Sequence, residues 1–61
     1  MKNFIVLTDY ADNSKFAINK DYIVKVEKEN DKVVVEYNLG HSGYFCRVKE
    51  SIDEILELLN S

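Results

Sequence analysis

The sequence contains no proline and no tryptophan, and only one cysteine, one histidine and two glycines among its 61 residues. Each scarcity removes a class of protein. With Cys46 as the sole cysteine, no intrachain disulfide can form, and a lone thiol fits a reducing compartment such as the bacterial cytoplasm. Cys46 and His41 are also the only soft metal ligands, whereas a structural zinc site takes four. No proline-rich, low-complexity or repeated stretch marks a linker, so residues 1–61 read as one domain. The apolar run Phe4-Ile5-Val6-Leu7 is far shorter than a signal-peptide core or a membrane span. Neither an export signal nor a membrane span is expected.

Positive charge is also scarce. Eight lysines and arginines are scattered among eleven acids for a net charge of -3. Nucleic-acid binding requires a concentrated basic footprint, so no nucleic-acid partner is expected. The small negative excess serves solubility. What the chain does have is 46% hydrophobic residues, with four tyrosines and three phenylalanines, enough for a core and too many for disorder. A domain this small buries only about 60% of the surface its unfolded chain exposes. With disulfides and metals excluded, self-association is the usual support left open.

Turn signals divide the chain into elements. Phe4 to Leu7 is a continuous apolar run with two β-branched residues, the pattern of a strand covered on both faces near a sheet centre. Asp9 to Ser14 collects turn-forming side chains. Lys15 to Asn19 then alternates with period two, completing a hairpin. Tyr22 to Lys28 places Tyr22, Val24 and Val26 on one face, with Lys25 and Glu27 opposite. Asn30-Asp31-Lys32 turns the chain into Val33 to Leu39, which presents Val33, Val35, Tyr37 and Leu39 on one face. Gly40 to Gly43 is a further turn, where glycine can take positive φ, and Tyr44 to Val48 is the fifth strand. Ser51-Ile52-Asp53-Glu54 is a capping box opening a helix, whose Ile52, Ile55, Leu56 and Leu59 form one apolar stripe flanked by Leu58. The expected fold is therefore α+β: a small antiparallel sheet of about five strands with one C-terminal amphipathic helix, in the order β-β-β-β-β-α.

No constellation of catalytic residues emerges, and the protein is read as a non-enzyme. A Cys46 nucleophile with His41 as base has no third residue to orient the imidazole, and alternation puts Cys46 beside Tyr44 and Val48 as a core thiol. Gly40-His41-Ser42-Gly43 lacks the spacing and the strand-to-helix context of a nucleophile elbow or of a phosphate-cradling loop. Asp9, Asp12 and Asn13 do not follow calcium-loop spacing. Glu27, Glu29 and Asp31 near Glu36 could draw a divalent ion weakly, but read as a solvated hairpin end. No cofactor is expected. The apolar residues on nominally polar faces, Ile23, Val34 and Phe45, with Leu58 from the helix edge, form a candidate patch for a partner or a second copy. The alternative is that helix and sheet cover both faces and leave no patch. A second class of function, capture of a nucleotide-type ligand between protomers, would use Tyr10 and Tyr44 with Phe45 for stacking and Lys15, Arg47 or Lys49 for phosphate.

Several local motifs occur together: Leu7-Thr8, Phe16-Ala17-Ile18-Asn19, Ile23 with Val26-Glu27, Val33 and Val35, Gly43, and Val48-Lys49-Glu50-Ser51 leading to Glu54-Ile55. Their order and approximate spacing resemble the short FlbD-like proteins, flagellar and swarming-motility accessories with similar small proteins in phages and mobile elements. The resemblance supplies no catalytic residue to carry over, and the leading expectation for so small a domain is a non-catalytic protein, homo-oligomeric through the sheet's open face, a strand edge or the C-terminal helix, that occupies a surface of a larger bacterial protein. A phage or mobile-element inhibitor acting by occlusion and a motility accessory are the two forms of that expectation.

Overall fold

The computed structural model describes residues 3–61, and its secondary structure is α+β: strands β1 (Phe4–Thr8), β2 (Lys15–Asn19), β3 (Ile23–Glu29), β4 (Lys32–Leu39) and β5 (Ser42–Val48), then helix α1 (Ile52–Leu59). A single 3-10 turn, Lys20–Tyr22, joins β2 to β3 and is capped by the Asn19 side chain, which accepts from the Asp21 N–H. The expected strand order is present, but in two sheets: β1 pairs antiparallel with β2 alone, and β3, β4 and β5 form a separate antiparallel sheet in that order.

The turns explain the pairings. Asn30 and Asp31 take φ of 50° and 68°, and Glu29 pairs with Lys32. This is a two-residue hairpin loop with both residues in the left-handed region, whose twist matches the strands it joins. Between β4 and β5, Leu39 pairs with Ser42, so the turn is only Gly40-His41, with Gly40 at φ 66°. Gly43, expected in the turn, lies in β5 opposite Asn38.

The two sheets meet at one end. Asp9 bridges to Val48, the Lys49 N–H donates to the Thr8 carbonyl at 3.0 Å, and the Tyr10 N–H donates to the Arg47 carbonyl at 3.0 Å. A side-chain latch reinforces this joint. The Glu50 carboxylate accepts from the Thr8 N–H and from the Thr8 hydroxyl, each at 2.8 Å, while Lys15 Nζ donates to the same hydroxyl oxygen at 3.0 Å. Burial pushes the Glu50 carboxyl up, but the two Thr8 hydrogen bonds, with Lys15 nearby, outweigh it and hold the group below its ordinary range.

Between the sheets lies one core of Ile5, Leu7, Ile18, Val33, Val35, Val48 and Ile55, with Phe16, Ile23, Val26, Tyr37, Cys46, Ile52, Leu58 and Leu59 packed around it. Helix α1 opens with the expected capping box: Ser51 Oγ accepts from the Glu54 N–H and Glu54 Oε1 accepts from the Ser51 N–H. Its stripe delivers Ile55 into the core with no exposed surface.

Two sequence expectations are corrected. Strand β1 is not at a sheet centre with both faces covered: among the described residues it pairs with β2 alone, and only its inner face packs on the core, so Ile5 and Leu7 are buried whereas Phe4 and Val6 are exposed. In β3, a bulge between Ile23 and Lys25 shifts the alternation by one residue, which moves side chains to the opposite face. Ile23 and Val26 therefore pack on the core, Val24 is left exposed, and Tyr22 sits in the 3-10 turn.

Candidate functional site

Away from the joint, the sheets splay apart, and the gap is a cleft of about 340 Å³ lined by Phe4, Phe16, Ala17, Ile18, Asn19, Tyr22, Tyr37 and Leu39. The register explains its position. The joint is at the Val33–Val48 end of the three-stranded sheet, and the cleft is at the opposite, Leu39–Ser42 end. There the hairpin contributes the start of β1 and the end of β2. Phe4, Tyr22 and Leu39 remain 42%, 48% and 48% exposed. Tyr37 in the cleft stacks on Tyr44 with ring centroids 5.7 Å apart, extending the aromatic surface onto β5. None of the eight lining side chains is charged. The cleft therefore offers mainly aromatic and aliphatic contact and no cationic side chain for a phosphate or carboxylate.

The four residues expected to form a contact patch are divided by the fold. Val34 and Phe45 lie together on the outer face of the three-stranded sheet, in a shallow groove with Glu27, Glu29, Glu36 and Arg47. Val34 is only 8% exposed and Phe45 is 65% exposed; Glu27 and Arg47, paired with Val34 from the adjoining strands, cover it with their stems. Ile23 and Leu58 pack against the core instead, Ile23 because of the bulge and Leu58 because the helix turns Ile52, Ile55, Leu58 and Leu59 to the core and leaves Leu56, expected in the stripe, 46% exposed. The outer face thus carries one protruding ring rimmed by three carboxylates.

The residues expected to hold a nucleotide are also separated. Tyr10 and Lys49 meet at the joint, where Lys32 Nζ and Lys49 Nζ lie 5.2 and 5.6 Å from the Tyr10 ring centroid. Two ammonium groups thus already engage that ring. Lys15 is held at Thr8, Arg47 is on the outer face, and Tyr44 stacks at the mouth of the cleft. A second groove, of about 430 Å³, lies between Val6 and α1 and is lined by Glu50, Glu54, Glu57, Leu58 and Ser61. Two of its carboxylates are already bonded, Glu50 to Thr8 and Glu54 to Ser51. Among the described residues, no three histidine, cysteine, aspartate or glutamate side chains are grouped so as to hold a metal ion. No helix of the described chain is long and apolar enough to cross a membrane.

Cys46 is half-buried on the core side of β5, and burial pushes its thiol up, with the Asp9 carboxylate adding to the effect. His41 is in the β4–β5 turn, roughly 16 Å back along an extended strand at about 3.3 Å per residue, so the two do not form a nucleophile–base pair. At neutral pH Cys46 is a thiol, and its labelling by an aromatic disulfide reagent should be about tenfold or more slower in the folded chain than in denaturant. Equal rates would show that the core side of β5 is open to solvent.

Sequence reading placed Tyr22, Tyr37 and Leu39 on core-facing sides of their strands but missed that one end of that face is left uncovered. The available signal was length: hairpin strands of five residues face strands of seven and eight. No protein-family profile, curated protein or solved structure matches the chain.

Proposed function

We propose that this protein is a non-catalytic binding module that engages a larger protein through the cleft between β2 and the end of β4. The observation that carries the reading is the grouping of half-exposed Phe4, Tyr22 and Leu39 around an opening already walled by Phe16 and Tyr37. Rings held in place by strands lose little freedom on binding, and tyrosine and phenylalanine are enriched where protein partners meet. The lining has no cationic side chain to offset the charge of a nucleotide's phosphates, which disfavours that ligand. On the outer face, the carboxylates around Phe45 would oppose one another if two copies met there. Such a module works by occupying a surface, and a motility accessory of the FlbD kind or a phage-type inhibitor would act in this way on a bacterial protein.

The test compares the unaltered chain with Leu39→Glu as baits in bacterial lysate, with quantitative mass spectrometry. Leu39 is half exposed at a strand end, so the substitution leaves the core intact. The expected result is a protein retained by the unaltered chain and lost with Leu39→Glu. Identical captures by both, or stabilisation of the chain by a nucleotide in a thermal-shift screen, would overturn the reading.

A further inference from the structure

We infer that the occupant of the cleft is an extended, apolar segment of another protein that adds to β2 as a third strand; this deepens the binding reading above and rests on it. The hairpin's own hydrogen bonds identify the free edge. The Asp9 N–H donates to the Ser14 carbonyl at 2.8 Å and the Lys20 N–H donates to the Asn3 carbonyl at 2.7 Å. These bracket a register in which Leu7 pairs with Phe16 and Ile5 with Ile18. In an antiparallel ladder, alternate pairs exchange bonds, so those two pairs face each other. The backbone groups of Lys15 and Ala17, and the N–H of Asn19, then point away from β1. No described strand lies on that side, since β2 pairs with β1 only.

The cleft runs along this edge. It is lined by Phe16 and Ile18, which face the core, and also by Ala17 and Asn19, which face outward. Consecutive residues of one strand face opposite ways, so an opening that both line passes around the strand's edge or its end, and here it does so over the second half of β2. An entering strand would thus find N–H and C=O groups at Ala17 and apolar contacts from Phe16, Tyr37 and Leu39 on its core-facing side. This is strand addition, in which main-chain bonds give affinity and side-chain contacts give selectivity. The edge lacks the usual guards. It has no proline and no bulge, and its one lysine, Lys15, is tied to Thr8.

Area distinguishes the occupant. Aromatic side chains bury roughly 150–250 Å² each when covered, so the half-exposed Phe4, Tyr22, Leu39 and Tyr44 offer on the order of 400 Å². A stable dimer buries about 800 Å² per partner. The cleft is sized for a segment, not for a second copy of the chain.

The test screens the full chain against a displayed library of segments of about seven residues, the length of an ordinary strand, and resynthesises the best binder. On binding, the amides of Lys15, Ala17 and Asn19 should become protected from hydrogen exchange. Ala17→Pro removes an N–H that makes no bond in the free chain, so melting should be unchanged while binding weakens about tenfold. Ala17→Ser keeps the N–H and should bind like the unaltered chain. Should Ala17→Pro fail to fold, the exchange pattern of the unaltered chain decides alone. A library that yields no binder, protection confined to other strands, or full binding by a folded Ala17→Pro would overturn strand addition. Partner capture that is lost with Leu39→Glu but kept with Ala17→Pro leaves the cleft as the site and removes only the strand. Capture kept by both removes the binding reading itself.

Discussion

Replacing Ile55 by alanine should cost about 2–5 kcal/mol, the range for deleting a large buried aliphatic side chain and leaving a cavity. The side chain has no exposed surface and is the one fully buried contribution of α1 to the core. A helix of eight residues does not persist by itself in water, so α1 is held by its docking. At about 0.05–0.15 kcal/mol per residue, a domain of this length has a total stability of roughly 3–9 kcal/mol, and the substitution removes a large part of it. The melting temperature followed by far-ultraviolet circular dichroism should fall by about 10–30 °C. A fall of only a few degrees would show that α1 is not docked as described.

Glu50→Ala should have the next largest effect, through the latch at the joint. It leaves the Thr8 N–H and hydroxyl without their acceptor on a residue that is 9% exposed, at a cost of about 1–3 kcal/mol for unmet buried donors. The melting temperature should fall by about 5–15 °C. The latch also has a pH signature. Because the Glu50 carboxyl is held below its ordinary value of 4.5 in the folded chain, the unfolded chain takes up the proton first as the solution is acidified. The latch therefore stabilises fully above about pH 4.5 and fades as pH falls through the depressed folded value. Asp12 contributes to acid sensitivity in the same direction, since the Ser14 hydroxyl and N–H hold its carboxyl down. The unaltered chain should lose more stability between neutral and acidic pH than Glu50→Ala does, as read by urea unfolding at each pH. Parallel losses would place the sensitivity elsewhere.

The local elements were legible because their signals are local. The capping box at Ser51 and Glu54, the alternation of β4 and the turn at Asn30-Asp31 each depend on residues a few positions apart. What could not be read depends on distant ones. Thr8 and Glu50 are separated by 42 positions, and neither residue type announces the other. The apolar run of β1 suggested cover on both faces, yet composition cannot say whether a second layer packs over each of them. The bulge at Val24 has no proline or glycine to mark it, and that one-residue slip sent Ile23 inward and dispersed the expected patch. Tyr37 and Leu39 were assigned to the correct face of β4, but the extent of the cover over that face could not be read.

The position of the joint has a consequence for engineering. Stabilising this fold most directly would mean zipping the sheets together beyond Asp9 and Val48, with longer hairpin strands that reach Tyr37 and Leu39. Each added rung would bury aromatic surface now open to water and raise the melting temperature. It would also shut the gap along β2. In this architecture thermal robustness and an accessible mouth draw on the same residues, so selection for one runs against the other.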